Sequence, residues 1–248
     1  SLLEGAITLE GLAKLAAADG QPALALTDTN NLFGALEFSE KLWSKGIQPI
    51  IGCQLAVDFA DDAGPGRHGQ PAPSPHVVLI AMDEGGYGNL MKLVSAAWLS
   101  GESGASVCAS WEAVAVRNAG LILLTGGPGG PLDQALRQGQ TDLAEARFAR
   151  MKAVFGDRLY VELQRHGLPE EARVEDGLIR LAYDGDAPLV ATCEPFFAKR
   201  ADYEAHDALL AIAAGRLVSD DDRRRVTEEH DFASRTEMRR RFADLPEA

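Results

Sequence analysis

Five histidines, three cysteines and one glycine-rich turn are the places where this 248-residue sequence could do chemistry. The histidines are His68, His76, His166, His206 and His230. Imidazoles and carboxylates converging at strand ends would make a metal centre able to activate water against a phosphate ester. Spacing alone supplies no such centre, because no HxH, HxxxH or HExxH pair occurs. Cys53, Cys108 and Cys193 form no CxxC pair, and three scattered thiols make neither a zinc ribbon nor a disulfide framework. There is no GxSxG elbow for a serine nucleophile. Cys53 and Cys193 lie near strand ends with no evident base and read as small core residues. The turn TGGPGGP (125–131) precedes a helix and could cradle a phosphate on its N–H groups. Lacking a Lys and the GxGxxG spacing, and holding two prolines, it reads as a tight turn instead.

The elements that must position these residues alternate along the chain. Residues 8–19 read as a helix, with Leu9, Leu12, Ala13, Ala16 and Ala17 on one face and Gly20 as its stop. Residues 23–27 are a short apolar run, hence a buried strand. A helix over 32–45, closed by Gly46, leads into a strand over 47–59. Proline and glycine make 61–75 a loop. Strands follow at 76–82, 121–125, 159–163 and 188–192, with helices at 87–99, 111–117, 132–137, 142–155 and 170–183 between them. From Asp202 onward the chain reads as helical. Ser234 and Glu237 form a capping box before residues 238–242, and acids precede bases at 220–225, as on a short solvated helix.

Six strands separated by helices predict parallel βαβ units, in an α/β barrel or a doubly wound sheet. The chain opens on a helix, so a further strand before residue 1 fits this pattern. Chemistry then belongs at the C-terminal strand ends, 27–31, 52–54, 125–127, 164–166 and 192–197. His166 sits at such an end, whereas His76 begins a strand. His68 in its loop and His230 in a charged tail read as surface, and His206 as structural or surface.

Length predicts one large domain or two small ones, at roughly 150 residues each. Hydrophobic residues are 46% and charged residues 25%, enough to bury a full core. With 24 basic against 37 acidic residues the net charge is −13. That argues against autonomous binding to a phosphate backbone, though not against membership of a nucleic-acid machine. No apolar run approaches the roughly 18 residues of a membrane span. The start lacks a signal peptide, so the expected location is cytoplasmic. It also lacks an initiator Met, so residue 1 need not be the natural start.

Several strings, in order along nearly the whole chain, together resemble one family. They are SLLEGAI, LALTDTNNLFGALEF, GIQPIIGCQL, HVVLIAMDEGGYGNLMKLVS, LYVELQRHG, PLVATCEPFF, YEAHDALLAIAAG and DFASRTEMRRRFADLPEA. This resembles the PHP (polymerase and histidinol phosphatase) domains of bacterial replicative DNA polymerase III alpha subunits. The resemblance implies a distorted seven-stranded (βα) barrel, its first strand missing or truncated here. It makes residues 1–248 one PHP domain, with the barrel over 1–200 and a helical segment over 201–248 leading toward a polymerase palm.

Active members of the family hold a metal cluster on about nine side chains, and the resemblance implies that this set is degraded here. The family's His-x-His pair falls before Ser1. Glu4, His76 and Glu194 match ligand positions with side chains that could still bind. Thr29 stands for a His, Gln54 for a Glu, Gly127 for a Cys and Phe196 for a His. Phe196 suggests that a ring now fills the space. The resemblance therefore implies a silent module of a DNA-directed DNA polymerase, a nucleotidyltransferase whose other domains hold the DNA. Its implied partners are the rest of the alpha subunit and the proofreading exonuclease (epsilon) subunit, with no cofactor of its own and no membrane. The alternative is a metal-dependent phosphoesterase, a 3′–5′ exonuclease or pyrophosphatase, with Zn or Mn on Glu4, His76 and Glu194. A stand-alone histidinol phosphatase fits less well, because the strings and the closing FADLPEA are those of the polymerase.

Overall fold

Helix α1 (Leu9–Ala18) starts where Thr8 accepts the Gly11 N–H, and its Ala13 and Ala16 bury against Phe38 and Leu42 of α2 (Ala35–Trp43). Ala17, read onto that face, is exposed. The computed structural model describes residues 4–61, 74–99 and 107–248; His68 and most of the predicted loop lie outside them. Among the described residues there are seven strands: β1 (Ala23–Leu26), β2 (Gln48–Asp58), β3 (His76–Ala81), β4 (Ala109–Ser110), β5 (Leu121–Leu124), β6 (Leu159–Gln164) and β7 (Leu189–Thr192). They form one mixed sheet curled into a half-barrel, in the order β1-β2-β3-β5-β6-β7, with β4 beside the far end of β2. Order follows sequence without the reversal of a doubly wound sheet.

Three expectations need correction. The strands are not all parallel, because β3 runs against both β2 and β5. Parallel pairing needs a crossover, but a helix between two strands does not impose it: α3 and α4 lie between β3 and β5, which pair antiparallel. Strand β1 is half-buried rather than buried, with Ala25 exposed, since it sits at the end of the sheet path, where one side has no strand partner among the described residues. The stretch 220–225 is not helical. There α8 (Tyr203–Ala214) stops at left-handed Gly215, and Arg223 turns inward to a bidentate pair with Asp207 at 2.6 and 2.5 Å. The two-residue β4 leaves no apolar run long enough to be read.

The inner faces of β2, β3, β5 and β6 supply the main core through Leu55, Val57, Leu79, Leu123, Val161 and Leu163. Helices α3 (Glu84–Leu99), α4 (Trp111–Val116), α5 (Pro131–Arg137), α6 (Thr141–Phe155) and α7 (Pro169–Asp184) cover them. Each fully buried Leu or Phe contributes roughly 1.5–3 kcal/mol. The last segment packs back on this core. Phe242, just after α9 (Arg235–Arg241), is 4% exposed under the Arg165 guanidinium, which also pairs with Glu175 and Asp244. No described helix is long and apolar enough to cross a membrane.

Candidate functional site

The reversal of β3 explains why His76 belongs to the rim. Its first residue pairs with Ala56, well along β2, while Val78 pairs with Leu124 at the end of β5. The start of β3 therefore lies beside the ends of its neighbours, and a rule that counts only strand ends misses it. The turn after β5 wraps closely around His76. Gly126 has φ +87°, and a Cβ there would lie 1.9 Å from the His76 carbonyl oxygen, so only glycine fits. Burial pushes the His76 imidazole below its ordinary value, while Glu4 pulls it up.

Thr29, Gln54, Gly127 and Phe196, the four positions that the resemblance marks as exchanged, are each engaged by protein. Thr29 donates its hydroxyl to Gln54 Oε1 at 2.8 Å, so two of these positions satisfy each other. Asn30, with φ +56°, holds this loop by accepting the Ala56 N–H on its side chain and the Trp98 indole N–H on its carbonyl. At Gly127 (φ +52°) a Cβ would come within 2.7 Å of the Gln164 side chain, so Gln164 fills the space beside it. Gln164 Nε2 in turn donates to Glu162 and Thr192. Glu162 is buried and also accepts from the Gly126 N–H at 2.9 Å and the Thr192 hydroxyl at 2.5 Å. Burial raises its carboxyl above the usual range despite these donors. Asp133, at the start of α5, is 3% exposed and is raised well above that range by burial and by Glu162.

Phe196 is 8% exposed and lies between two imidazoles, with His206 at 5.6 Å and His230 at 5.5 Å between ring centres. His166 stacks on the far side of His230 at 4.1 Å. The four rings form one column. Each imidazole is tied down. His166 Nε2 lies 3.1 Å from the Glu194 backbone nitrogen and Nδ1 lies 2.8 Å from Glu171; although burial lowers its pKa, hydrogen bonds to Cys193 and Glu171 push it up to about 9. His206 Nε2 donates to the Glu4 carbonyl at 2.6 Å, and its Nδ1 is buried without a hydrogen-bond partner. His230 Nδ1 accepts the Thr227 N–H, and burial drives its pKa down to about 3. His230 is thus a core ring and not a surface residue as its charged surroundings in sequence imply, because η-turn residues Glu228–His230 fold it inward.

Of the three acid or imidazole positions, Glu4 pairs with Arg224 at 2.8 Å and Glu194 is raised by burial against the pull of His166 and Arg224. Arg224 also covers the Phe196 ring at 5.5 Å. Sequence reasoning passed over Arg224 and Gln164. A run of three arginines after three acids and a Gln at a strand end were the available signals.

The donor set does not fit a metal cluster. Glu4 is spent on a guanidinium, Thr29 on Gln54, and Gly127 and Phe196 offer no donor. No group of three or more His, Cys, Asp or Glu among the described residues is arranged to hold an ion. Cys53 is fully buried, which pushes its thiol up to about 12, so it is a core residue and not a nucleophile.

Comparison with known proteins agrees with the earlier resemblance. The chain is 50% identical over 248 residues to DNA polymerase III subunit alpha of Caulobacter vibrioides, covering all of this chain and 21% of that protein. The same subunit of Rickettsia bellii is 37% identical over 248 residues, covering all of this chain and 20% of the relative. The chain thus spans about a fifth of the length of these relatives. A structure from Bifidobacterium adolescentis, classed by inference as a metal-dependent phosphoesterase, aligns at a TM-score of 0.46 and 16% identity, covering 76% of this chain and 82% of that one. The sequence model of the PHP domain matches residues 1–166, and the chain belongs to the PHP domain family.

Proposed function

We propose that this chain is a catalytically silent PHP domain of a DNA polymerase III alpha subunit, serving as a structural module and as a docking surface for the proofreading exonuclease (epsilon) subunit. One observation carries the silence: Thr29 and Gln54, two positions where the family has ligands, spend their polar atoms on each other. The relatives' names support the polymerase setting. The net charge of −13 supports a cytoplasmic part that faces protein while other domains hold DNA. Nucleotidyl transfer, in this reading, belongs to polypeptide outside this chain, and residues 201–248 lead toward it. Glu4, His76 and Glu194 are vestiges of a ligand set, and neither Zn nor Mn is required.

Phosphatase and 3′–5′ exonuclease assays with Mn²⁺ or Zn²⁺ test the silence. The expected result is no turnover above that of His76→Ala, and robust turnover abolished by His76→Ala overturns it. Docking is tested separately by titrating the exonuclease subunit against the chain, where saturable binding is expected and its absence removes that part.

A further inference from the structure

We infer that the outward face of α2, with Phe33, Leu36, Glu40 and Trp43, is the surface on which a helix of the exonuclease subunit docks, a Lys or Arg of that helix meeting Glu40. The inference rests on the docking reading above and adds where the partner sits and what chemistry it presents. Helix α2 is apolar on two sides. One side, Ala35, Phe38 and Leu42, is buried, with Phe38 and Leu42 packed against α1. On another, Leu36 is 73% and Trp43 76% exposed, and Phe33, just before the helix, is 87% exposed. Leu36, Glu40 and Trp43 fall at i, i+4 and i+7 and share one face. Its two apolar ends lie about 10 Å apart along the axis. Single exposed apolar residues are ordinary, whereas a surface helix keeps its apolar side chains to one stripe. A second stripe marks a face that another protein covers.

Charge selects the occupant. The cations of α1 and α2 are already paired: Lys41 with Glu10 and Glu37, and Lys14 and Lys45 with Glu10. Among the described residues no side chain pairs with Glu40, which stands exposed between Leu36 and Trp43. Covering it with an apolar surface would take water from a carboxylate and give nothing back. The partner therefore brings a cation to that spot. A second copy of this chain does not, because two-fold pairing of α2 with itself about the middle of the stripe sets Glu40 against Glu40. Nucleic acid and anionic lipid are repelled by the same carboxylate and by the net charge of −13. What fits is an amphipathic helix laid along α2, with apolar side chains two turns apart and a Lys or Arg between them.

The test is calorimetric titration of the exonuclease subunit against this chain and its variants, at low and at raised salt. The replaced side chains are exposed, so the variants keep the fold, which an unchanged unfolding temperature verifies. Leu36→Ser combined with Trp43→Ser is expected to weaken binding at least about tenfold, since a central Trp commonly dominates an interface. Glu40→Lys is expected to weaken it comparably, and Glu40→Gln to weaken it less and to flatten its salt dependence. Ile212→Ser combined with Leu217→Ser removes exposed apolar side chains at the end of α8 and is expected to leave binding unchanged. Binding by the parent that the α2 variants leave intact overturns the inference while the docking reading stands. Loss with the apolar pair but not with Glu40→Lys overturns the basic partner helix. A parent that does not bind overturns the docking reading, and the inference with it.

Discussion

The two sides of the rim solve one problem differently. On the β1–β2 side, Thr29 and Gln54 close a neutral hydrogen bond within one loop and one strand. On the β7 side, Phe196 enters a column of four rings drawn from the end of β6, the turn after β7, α8 and the segment after it. A neutral pair satisfies itself locally and asks nothing of distant chain. The ring column buries apolar area but needs the C-terminal segment in place, and Phe196 is clamped to it by the Phe196 N–H to His230 carbonyl bond at 2.9 Å. Polar and apolar side chains at one rim can thus be satisfied by pairing or by packing, and here only packing makes the rim a joint between remote parts of the chain.

The sharpest way to break this comparison is Phe196→Ala, expected to cost about 3–5 kcal/mol in denaturant unfolding, as for a buried Phe. A loss near zero would mean that the column bears no load. Next comes pH. His230 is held at about 3 in the folded chain against an ordinary 6.5, so the unfolded chain takes up that proton first as acid is added. Its contribution is complete above about pH 6.5 and is lost as the pH falls toward 3. The groups facing it are His166, His206, Arg224 and Thr227, and His230→Gln should flatten this part of the stability–pH curve. Restoring a family-type ligand by Gly127→Cys should cost about 1–3 kcal/mol, because the new side chain meets Gln164 in a left-handed conformation. Gln164→Ala should relieve the collision but not the backbone strain. The smallest effect belongs to the local pair: Thr29→Val should cost about 0.5–1.5 kcal/mol, the worth of one hydrogen bond. If Thr29→Val proves as damaging as Phe196→Ala, the distinction between the two sides fails.

Much of this architecture was legible in the chain and some was not, for physical reasons. Apolar runs such as Leu121–Leu124 and Leu159–Gln164 announce strands because burial on both faces demands them. Strand direction leaves no such mark, so the reversal of β3 and the arrival of His76 at the rim could not be read from spacing. The family strings singled out Thr29, Gln54, Gly127 and Phe196, but not the residues they meet. That Thr29 meets Gln54, or that Gln164 lies against Gly127, depends on register between segments far apart in sequence. Arg224 faces solvent as its charged stretch implies, but Arg223 and His230 were hidden by composition, since the same stretch reads as solvent-facing even where a buried Arg223–Asp207 pair and a buried Val226 turn it inward.

The end position of β1 in the sheet path has a consequence for motion. Among the described residues, β2, β3, β5 and β6 are laddered on both sides, whereas β1 is laddered only to β2 and β7 only to β6. Hydrogen exchange should therefore be faster in β1 and β7 than in the four strands between them, so that the described sheet loosens from its two ends inward. His76, at the start of a doubly laddered strand, then keeps time with the persistent middle of the sheet rather than with its fraying ends.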